Sequence, residues 1–342
     1  MSEPNRPFTG LTLSELTALL ESRPRALTAL RWLHSSPTPP TRLPDRLPGV
    51  SAKAWERVHS ECELCLPRIV ARQRSKDGTV KYAFEAEGAR FEAVLIVEKG
   101  RSTLCVSSQS GCTRRCAFCA TARLGFVRNL TAGEIVAQLL LAKADAPAKA
   151  PLRNVVFMGM GEPLDNLDQV LRAIEILTQA PLPQLGVGHV TVSTSGVLPG
   201  MRRFLEESRA HLALSLNATT DETRTLLMPQ TRTWPIAELI DLLRASSRAS
   251  ERLFFIEYVL LAGVNDSDDD ARRLVCLLEG VRARVNLIPH NAFAPCPWEP
   301  ARPERIEAFQ RIVHRAGIRC LVRSPHGQEI DAACGQLALK TR

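Results

Sequence analysis

Three cysteines lie close together in the run GCTRRCAFCATARLGF, at Cys112, Cys116 and Cys119. Their C-x3-C-x2-C spacing suits iron–sulfur chemistry, because a [4Fe–4S] cluster takes four ligands that are usually thiolates. Three thiolates from one loop leave one iron without a protein ligand, and that iron can bind a small molecule. The spacing therefore predicts a cluster that takes part in a reaction.

A structural zinc site and buried free thiols are the two alternatives to a cluster. Zinc sites usually combine two C-x2–4-C pairs or include histidine, and residues 111–130 contain neither a histidine nor a fourth cysteine. Cys62 and Cys65 form a C-x2-C pair that could complete a four-cysteine zinc site. The sequence around that pair, AWERVHSECELCLPRIV, has the pattern of a helix, so the cluster is favoured.

The composition indicates a globular cytosolic protein with a polyanionic partner. A chain of 342 residues can hold a catalytic domain and a smaller one. No apolar run reaches 18 residues, and the N-terminus lacks a signal-peptide pattern, so we expect no membrane span and a cytoplasmic location. Ten cysteines then suit a reducing compartment. The net charge of +8 favours a partner such as a nucleic acid.

The first hundred residues divide into helical and strand-like segments. Residues 11–35 have apolar positions at helical spacing, with Thr12 or Ser14 as a possible N-cap. A proline-rich connector follows at 37–48, and a second helix is predicted at about 52–66. Residues 69–98 alternate between apolar and polar side chains, which predicts strands.

From residue 102 onward, short apolar runs alternate with amphipathic segments. The runs are 103–106, 155–158, 190–193, 211–216, 253–261, 284–288 and 318–322, and the segments are 131–144, 167–179, 201–208, 236–246, 268–279 and 303–316. This alternation predicts right-handed βαβ units around a parallel sheet. Six units are too few for a closed eight-stranded barrel, so we predict an open, partial α/β barrel. Its chemistry belongs at the C-terminal ends of the strands.

The cysteine loop resembles that of the radical S-adenosylmethionine (radical SAM) superfamily. The longer run CVSSQSGCTRRCAFCATARLGFVRNLTAGEIVAQ resembles the RlmN/Cfr family of radical SAM RNA adenosine methyltransferases, as do FMGMGEPLDN, VSTSG, VNLIPHN and DAACGQL further along. The resemblance runs from about residue 8 to 340. It implies an N-terminal helical accessory domain at 1–70, a β-rich extension at 71–98, a partial (βα)6 radical SAM barrel at 99–325 and a C-terminal tail at 326–342.

The resemblance also implies a role for each matching residue. Cys112, Cys116 and Cys119 would hold one [4Fe–4S] cluster. Cys334 would carry the methyl group, Cys105 would release the product, and Glu92 would accept a proton. The residues expected to contact SAM are Gly161, Glu162, Ser193, Ser215, Leu216, Asn217 and Asn291.

A two-stage route is implied, with two SAM molecules used per turnover. One SAM methylates Cys334, because thiolate sulfur is a good nucleophile. The second yields a 5′-deoxyadenosyl radical that takes hydrogen from the S-methyl group, whose carbon then adds to an adenine. Attack by Cys105 releases the product and leaves a Cys105–Cys334 disulfide. The implied partners are rRNA and/or tRNA and a small reduced electron donor such as flavodoxin or ferredoxin; we expect a monomer.

Three departures from the family pattern leave the target open. Asn217 stands where the family usually has histidine, His326 stands where it has arginine, and residues 230–234 differ from the expected loop. Asn217 retains groups that can bond the SAM ribose. Methylation at C2 of an adenine in 23S rRNA or tRNA is the leading hypothesis. The alternatives are C8-methylation of the same rRNA adenine and an RNA-binding paralogue without catalysis.

Overall fold

The computed structural model describes residues 6–36, 38–179, 185–250, 252–294 and 296–339. Pro37 of the predicted connector lies outside the described residues. So do residues 1–5 of the predicted accessory domain and residues 340–342 of the predicted tail.

Three helices and two very short strands form the N-terminal part. They are β1 (Arg6–Pro7), α1 (Leu13–Leu20), α2 (Arg23–Ser35), α3 (Ala52–Glu61) and β2 (Cys62–Glu63). The prediction of one helix over 11–35 is wrong, because Glu21 adopts a left-handed φ of 49° that ends α1. The Thr12 side chain accepts a hydrogen bond from the Glu15 N–H and caps α1, as predicted.

The second predicted helix is shorter than expected. Helix α3 ends at Glu61 because Cys62 and Glu63 leave the helix and pair in parallel with Arg6 and Pro7. The Cys62–Cys65 pair therefore begins on extended backbone, and the expectation that it lies in a helix is wrong.

One ten-stranded sheet organises the rest of the chain. Its strands are β3 (Arg68–Arg74), β4 (Val80–Ala86), β5 (Ala89–Glu98), β6 (Arg101–Cys105), β9 (Leu152–Phe157), β10 (Val190–Thr194), β11 (His211–Ser215), β12 (Phe254–Leu260), β13 (Ala283–Pro289) and β14 (Arg319–Val322), and a separate ribbon holds β7 (Gln109–Gly111) and β8 (Phe126–Asn129). The order across the sheet is β14-β13-β12-β11-β10-β9-β6-β5-β4-β3. Strands β6 and β9–β14 run parallel, whereas β3–β6 pair antiparallel.

The sheet does not close on itself within the described residues, since β3 and β14 are its two edges. The prediction of an open, partial barrel is confirmed. The strands predicted at 69–98 join the same sheet and extend it beyond β6.

Helices connect the parallel strands and cover the sheet. They are α4 (Ala132–Ala142), α5 (Leu167–Thr178), α6 (Leu198–Glu207), α7 (Asp221–Leu227), α8 (Ile236–Ser250), α9 (Asp268–Leu277) and α10 (Pro303–Arg315). Six of them match the predicted segments, with ends that shift by a few residues. Helix α7 was not predicted, because seven residues are too few to show a helical period. Among the residues described, no helix has both the length and the apolar character to cross a membrane.

Candidate active site

Polar and sulfur-bearing side chains line one cavity at the C-terminal ends of the parallel strands. The lining includes Cys112, Cys116, Cys119, Gly159, Gly161, Glu162, Ser193, Ser215, Asn217, Glu257, His290, Asn291 and Cys334. Most of the residues predicted from the sequence therefore meet in one place. The exceptions are Leu216, Cys105 and Glu92, which lie outside this lining.

The three cysteines lie in the closed turn between β7 and β8, residues 112–125, which is here called the cluster loop. Gly111 pairs with Phe126 at the base of the loop and has a φ of +73°. A Cβ atom at Gly111 would lie 1.8 Å from the Gly125 carbonyl oxygen, so no other residue fits there. The Cys112 N–H donates to that same oxygen at 2.9 Å. The two ends of the loop are therefore hydrogen-bonded to each other, which fixes its closed shape.

Among the described residues, the three thiols are not arranged as ligands of one zinc ion. Thiolates that share one zinc ion lie about 3.8 Å apart, because each Zn–S bond is about 2.3 Å long. Thiolates that bind a cube each take a different iron and stay farther apart. In the described part of the chain, no three His, Cys, Asp or Glu side chains converge on a single metal position.

Burial determines the protonation of these thiols. It raises the pKa of Cys112 to about 12, and it also raises the pKa of Cys116 and of Cys119. Neighbouring thiols add to the shift at Cys112 and Cys116, since like charges repel. Without metal the three side chains stay protonated at neutral pH. Bound iron would therefore displace protons, and cluster assembly becomes easier as pH rises.

The glycine-rich turn after β9 packs against β7. A Cβ atom at Gly161, where φ is +105°, would lie 2.6 Å from the Gln109 Cβ, and one at Gly159 would lie 2.7 Å from the Val106 carbonyl oxygen. We expect Gly161 to contact SAM. The close approach of two protein segments is a further reason for glycine at both positions, and both line the cavity.

Glu162 follows this turn and is 3% exposed. Its Oε2 accepts from the Ser195 N–H at 2.8 Å and from the Ser195 hydroxyl at 2.7 Å, and its Oε1 accepts from the Leu164 N–H at 3.1 Å. Burial raises the pKa of Glu162, against these hydrogen bonds. The Thr194 side chain also hydrogen-bonds Glu162, so protein donors surround much of this carboxylate although it lines the cavity.

The strand-end residues differ in how they face the cavity. The Ser193 and Ser215 hydroxyls lie 3.2 Å apart on neighbouring strands. Asn217 has a left-handed φ of 59°, and its Oδ1 accepts from the Val259 N–H at 2.9 Å. Leu216 is fully buried in the core, and its carbonyl accepts from Arg224 at 3.0 Å. The predicted SAM contact at Leu216 is not supported by the position of its side chain.

The tail brings Cys334 into the cavity. The Asn291 Nδ2 donates to the Cys334 carbonyl at 3.2 Å, and the Ala120 N–H donates to the Gly335 carbonyl at 2.7 Å. The Cys334 side chain keeps accessible surface because it faces the cavity. Protein surrounds it on the other sides, and this burial raises the pKa of the thiol. Cys334, the methyl carrier expected from the sequence, is therefore held beside the cluster loop by hydrogen bonds to its own carbonyl and to that of Gly335.

Cys105 ends β6 and is 6% exposed. Burial raises the pKa of its thiol, and the nearby Cys334 raises it further. Both cysteines are free thiols. The two sulfur atoms are thus electrostatic neighbours although Cys105 does not line the cavity.

Glu92 is a buried ion-pair residue that holds the tail. It is 1% exposed, and its Oε1 lies 3.7 Å from the Lys81 Nζ. Its Oε2 accepts from the Leu339 N–H at 3.2 Å, and the Lys81 Nζ donates to the Asp331 carbonyl at 3.4 Å. The pair, here called the tail clamp, contacts the chain on both sides of Cys334.

The comparisons with known proteins agree with this geometry. A model of the radical SAM superfamily matches residues 106–275. A dual-specificity RNA methyltransferase RlmN from Paracoccus denitrificans is 48% identical over 82% of this chain and 74% of its own length. One from Phenylobacterium zucineum is 42% identical over 98% of this chain and 91% of its own. The chain belongs to the RlmN family of radical SAM RNA methyltransferases.

A solved structure has a similar fold over nearly all of the chain. A radical SAM methyltransferase from Sphaerobacter thermophilus matches 98% of this chain and 100% of its own, with a TM-score of 0.89 and 37% identity. Family membership implies an iron–sulfur cluster and SAM, and the three cavity-lining thiols supply the donor set that such a cluster needs.

Two residues of this RlmN-family site were missed from the sequence. Glu257 on β12 lines the cavity, is 4% exposed and accepts from the Asn286 Nδ2 at 2.8 Å; burial raises its pKa. The signal was a single acid inside the apolar run FFIEYVLL. Arg224 is fully buried beside Cys116 and donates to the carbonyls of Leu216 and Ser195. Arg224 was missed because it lies on α7, a helix too short to show a helical pattern in the sequence.

Proposed function

We propose that this enzyme methylates C2 of an adenine in 23S rRNA and/or tRNA through an S-methylated Cys334. The observation that carries the proposal is the position of Cys334, which faces the same cavity as Cys112, Cys116 and Cys119 and is an electrostatic neighbour of Cys105. The name of the relatives, dual-specificity RNA methyltransferase, supports RNA as substrate and more than one class of target.

We assign two roles to the side chains that line the cavity. Cys112, Cys116 and Cys119 would hold one [4Fe–4S] cluster. The proposed SAM contacts are Gly161, Glu162, Ser193, Ser215, Asn217 and Asn291, with Leu216 limited to its backbone. When bound, the cluster and SAM supply a transferable methyl group and one-electron chemistry.

Cys334 acts first, as a nucleophile. Its thiol loses a proton, and its sulfur bonds to the methyl carbon of SAM as the bond from that carbon to the SAM sulfonium sulfur breaks, which would release S-adenosylhomocysteine. The Asn291 bond to the Cys334 carbonyl and the Ala120 bond to the Gly335 carbonyl keep the sulfur at the cavity during this step. Fixing the sulfur beside its reaction partner lowers the entropic part of the barrier.

Cys105 acts last. Its thiol loses a proton, and its sulfur bonds to the Cys334 sulfur as the bond from that sulfur to the methylene carbon on the adenine breaks. The carbon leaves with the bonding electron pair and takes up a proton to become the methyl group, so the two sulfurs are oxidised to a disulfide while the carbon is reduced. The raised pKa of Cys105 keeps it protonated until then, which protects the free enzyme from early oxidation. We infer that Glu92 serves this chemistry by holding the tail, and its role as proton acceptor stays a prediction.

The remaining partners follow from the same chemistry. We propose two SAM molecules per turnover, a small reduced electron donor such as flavodoxin or ferredoxin, a cytoplasmic location and action as a monomer.

The test compares cysteine variants of the anaerobically reconstituted enzyme. Cys334→Ala should keep the cluster absorbance and lose methyl transfer, and Cys105→Ala should accumulate a covalent protein–RNA adduct. Cys276→Ala, at an exposed cysteine on α9, is the matched control and should behave as wild type. Nucleoside mass spectrometry of the product RNA locates the methyl group on the base.

Three results would count against the proposal. Methyl transfer by Cys334→Ala removes its central step, and a methyl group at C8 corrects the position. A wild-type enzyme that binds RNA but forms no 5′-deoxyadenosine indicates a paralogue without catalysis.

A further inference from the structure

An exposed apolar surface lies beside the cluster loop. Leu124, Phe126 and Val127, here called the exit patch, expose 39%, 48% and 60% of their surface. Single exposed apolar residues are common on proteins and need no explanation. Three exposed apolar residues within four positions of the chain, directly after the cluster loop, are a local concentration that invites one.

The exit patch borders the cavity. Phe126 pairs with Gly111, the residue before Cys112, and Gly125 accepts the Cys112 N–H at 2.9 Å. Neighbouring side chains of a strand point to opposite faces, yet Phe126 and Val127 are both exposed. The ribbon therefore projects into solvent on both faces at the edge of the site.

A basic and aromatic recess adjoins the exit patch. Arg115, Arg123 and Trp298 line it together with Cys116, so it lies on the outer side of the cluster loop. The Arg123 guanidinium lies over the Phe293 ring at 5.7 Å from its centroid. Arginine beside aromatic rings is typical of surfaces that bind single-stranded RNA by stacking and by contact with phosphates.

We propose that the exit patch is a wedge that opens RNA, and that the recess binds the nucleotide next to the target. This inference rests on the proposed function, in which an adenine must leave its stack to reach a cavity inside a barrel. Apolar side chains inserted between bases fill the gap that an extruded base leaves. Phe126 and Val127 are exposed apolar side chains on opposite faces of the ribbon beside the cluster loop, so the wedge is the tip of that ribbon.

RNA fits this surface better than a protein partner does. A specific protein interface covers about 800 Å² on each side, far more than three side chains can offer. The recess carries two arginines, and the chain as a whole has a net charge of +8. RNA is a polyanion whose bases stack on aromatic rings, so it matches the positive charge and the aromatic side chains of this surface.

The experiment uses the anaerobically reconstituted holoenzyme and two RNA hairpins that carry 2-aminopurine. In the first RNA the 2-aminopurine is stacked at the position of the target adenosine, and in the second it is already extruded in a bulge. The variants are Phe126→Ala and Val127→Ser. Val187→Ser is the control, since Val187 is 36% exposed and precedes β10 at the opposite end of the sheet.

Wild type and Val187→Ser should bind both RNAs and raise the fluorescence of the stacked probe. Phe126→Ala should bind the stacked RNA about tenfold more weakly, because stacking on one side chain contributes about that factor, and it should raise the fluorescence little. Val127→Ser should act in the same direction. Both variants should bind the bulged RNA as wild type does, which also shows that they fold.

Several outcomes would overturn the wedge. If both variants raise the fluorescence of the stacked probe as wild type does, the exit patch does not open the RNA. The same conclusion follows if a variant loses equal affinity for the stacked and the bulged RNA. Slower cluster reduction by reduced flavodoxin with unchanged RNA binding assigns the patch to the electron donor. If wild type binds neither RNA in a salt-dependent manner, the proposed function fails, and this result is distinct from failure of the wedge.

Discussion

Removing one partner of the tail clamp should destabilise the protein far more than removing both. Lys81 and Glu92 are 5% and 1% exposed, and each contacts the tail. Burial raises the pKa of Glu92 even though Lys81 opposes that shift. Desolvation of the carboxylate therefore outweighs the attraction of the ion pair. The pair costs stability at neutral pH, and we infer that it positions the tail.

The magnitudes follow from this balance. A buried charge left without its partner typically costs 3–5 kcal/mol. We expect about 3 kcal/mol for Lys81→Met, because Glu92 can then take up a proton, and about 3 kcal/mol for Glu92→Gln. The double variant Lys81→Met/Glu92→Met replaces both charges with apolar volume, so its free energy of unfolding should lie within about 1 kcal/mol of wild type. The single effects are then strongly non-additive.

Two measurements separate stability from positioning. Urea unfolding at matched cluster loading gives the free energies. The rate at which iodoacetamide alkylates Cys334, relative to Cys276 in the same molecule, reports how firmly the tail is held in place. The double variant should unfold like wild type and yet be alkylated severalfold faster at Cys334. The control is Arg68→Met, which breaks the exposed Arg68–Glu85 pair between β3 and β4 and should change stability by under about 1 kcal/mol.

The pH dependence has a defined sign. The folded pKa of Glu92 is raised above its ordinary value of 4.5, so ionisation of Glu92 is less favourable in the folded state. Its contribution to stability is full below pH 4.5 and is lost as pH rises through the folded pKa. The double variant has no carboxylate at position 92, so its stability should not fall over this pH range. Additive single effects, or unchanged alkylation of Cys334 in the double variant, would refute the reasoning.

Two further predictions concern the core of the site. Gly161→Ala should lower the free energy of unfolding by about 3 kcal/mol or more and impair cluster assembly, because its Cβ would overlap Gln109 at a φ of +105°. Gly188→Ala is the control, since nothing lies within 4 Å of a Cβ there; equal stability of the two variants would contradict the steric argument. Arg224→Met should cost about 3–5 kcal/mol in urea unfolding, because the buried carbonyls of Leu216 and Ser195 lose their charged donor. Arg232→Met, at an exposed arginine, should change little, and a similarly small effect at Arg224 would show that those carbonyls do not depend on it.

Local patterns were sufficient to predict the barrel and most of its lining. The alternation of buried strands and amphipathic helices indicated six βα units, and the strand ends then placed Ser193, Ser215 and Asn291 on one edge. Cysteine spacing indicated the loop. These features depend on residues close in sequence, where period and spacing are visible.

Contacts between distant segments could not be predicted in the same way. The tail clamp joins residues about 250 positions apart, and no period connects them. The same reason explains why the burial of Glu92 was not visible in the sequence, and why Gly161 was assigned to a ligand although Gln109 is its neighbour. Leu216 was placed in the site by its sequence position, whereas its side chain belongs to the core.

The open sheet has one more consequence, which concerns its two free edges. A closed barrel has no unpaired strand, but β3 and β14 each leave a row of backbone groups that another chain could pair with. Strand β3 carries Arg68, Arg72 and Arg74, and β14 begins with Arg319 and is followed by Arg323. Charged side chains on an edge strand disfavour pairing with another chain because they must stay hydrated, and this holds even though Arg68 is paired with Glu85 and Arg72 and Arg74 with Asp145.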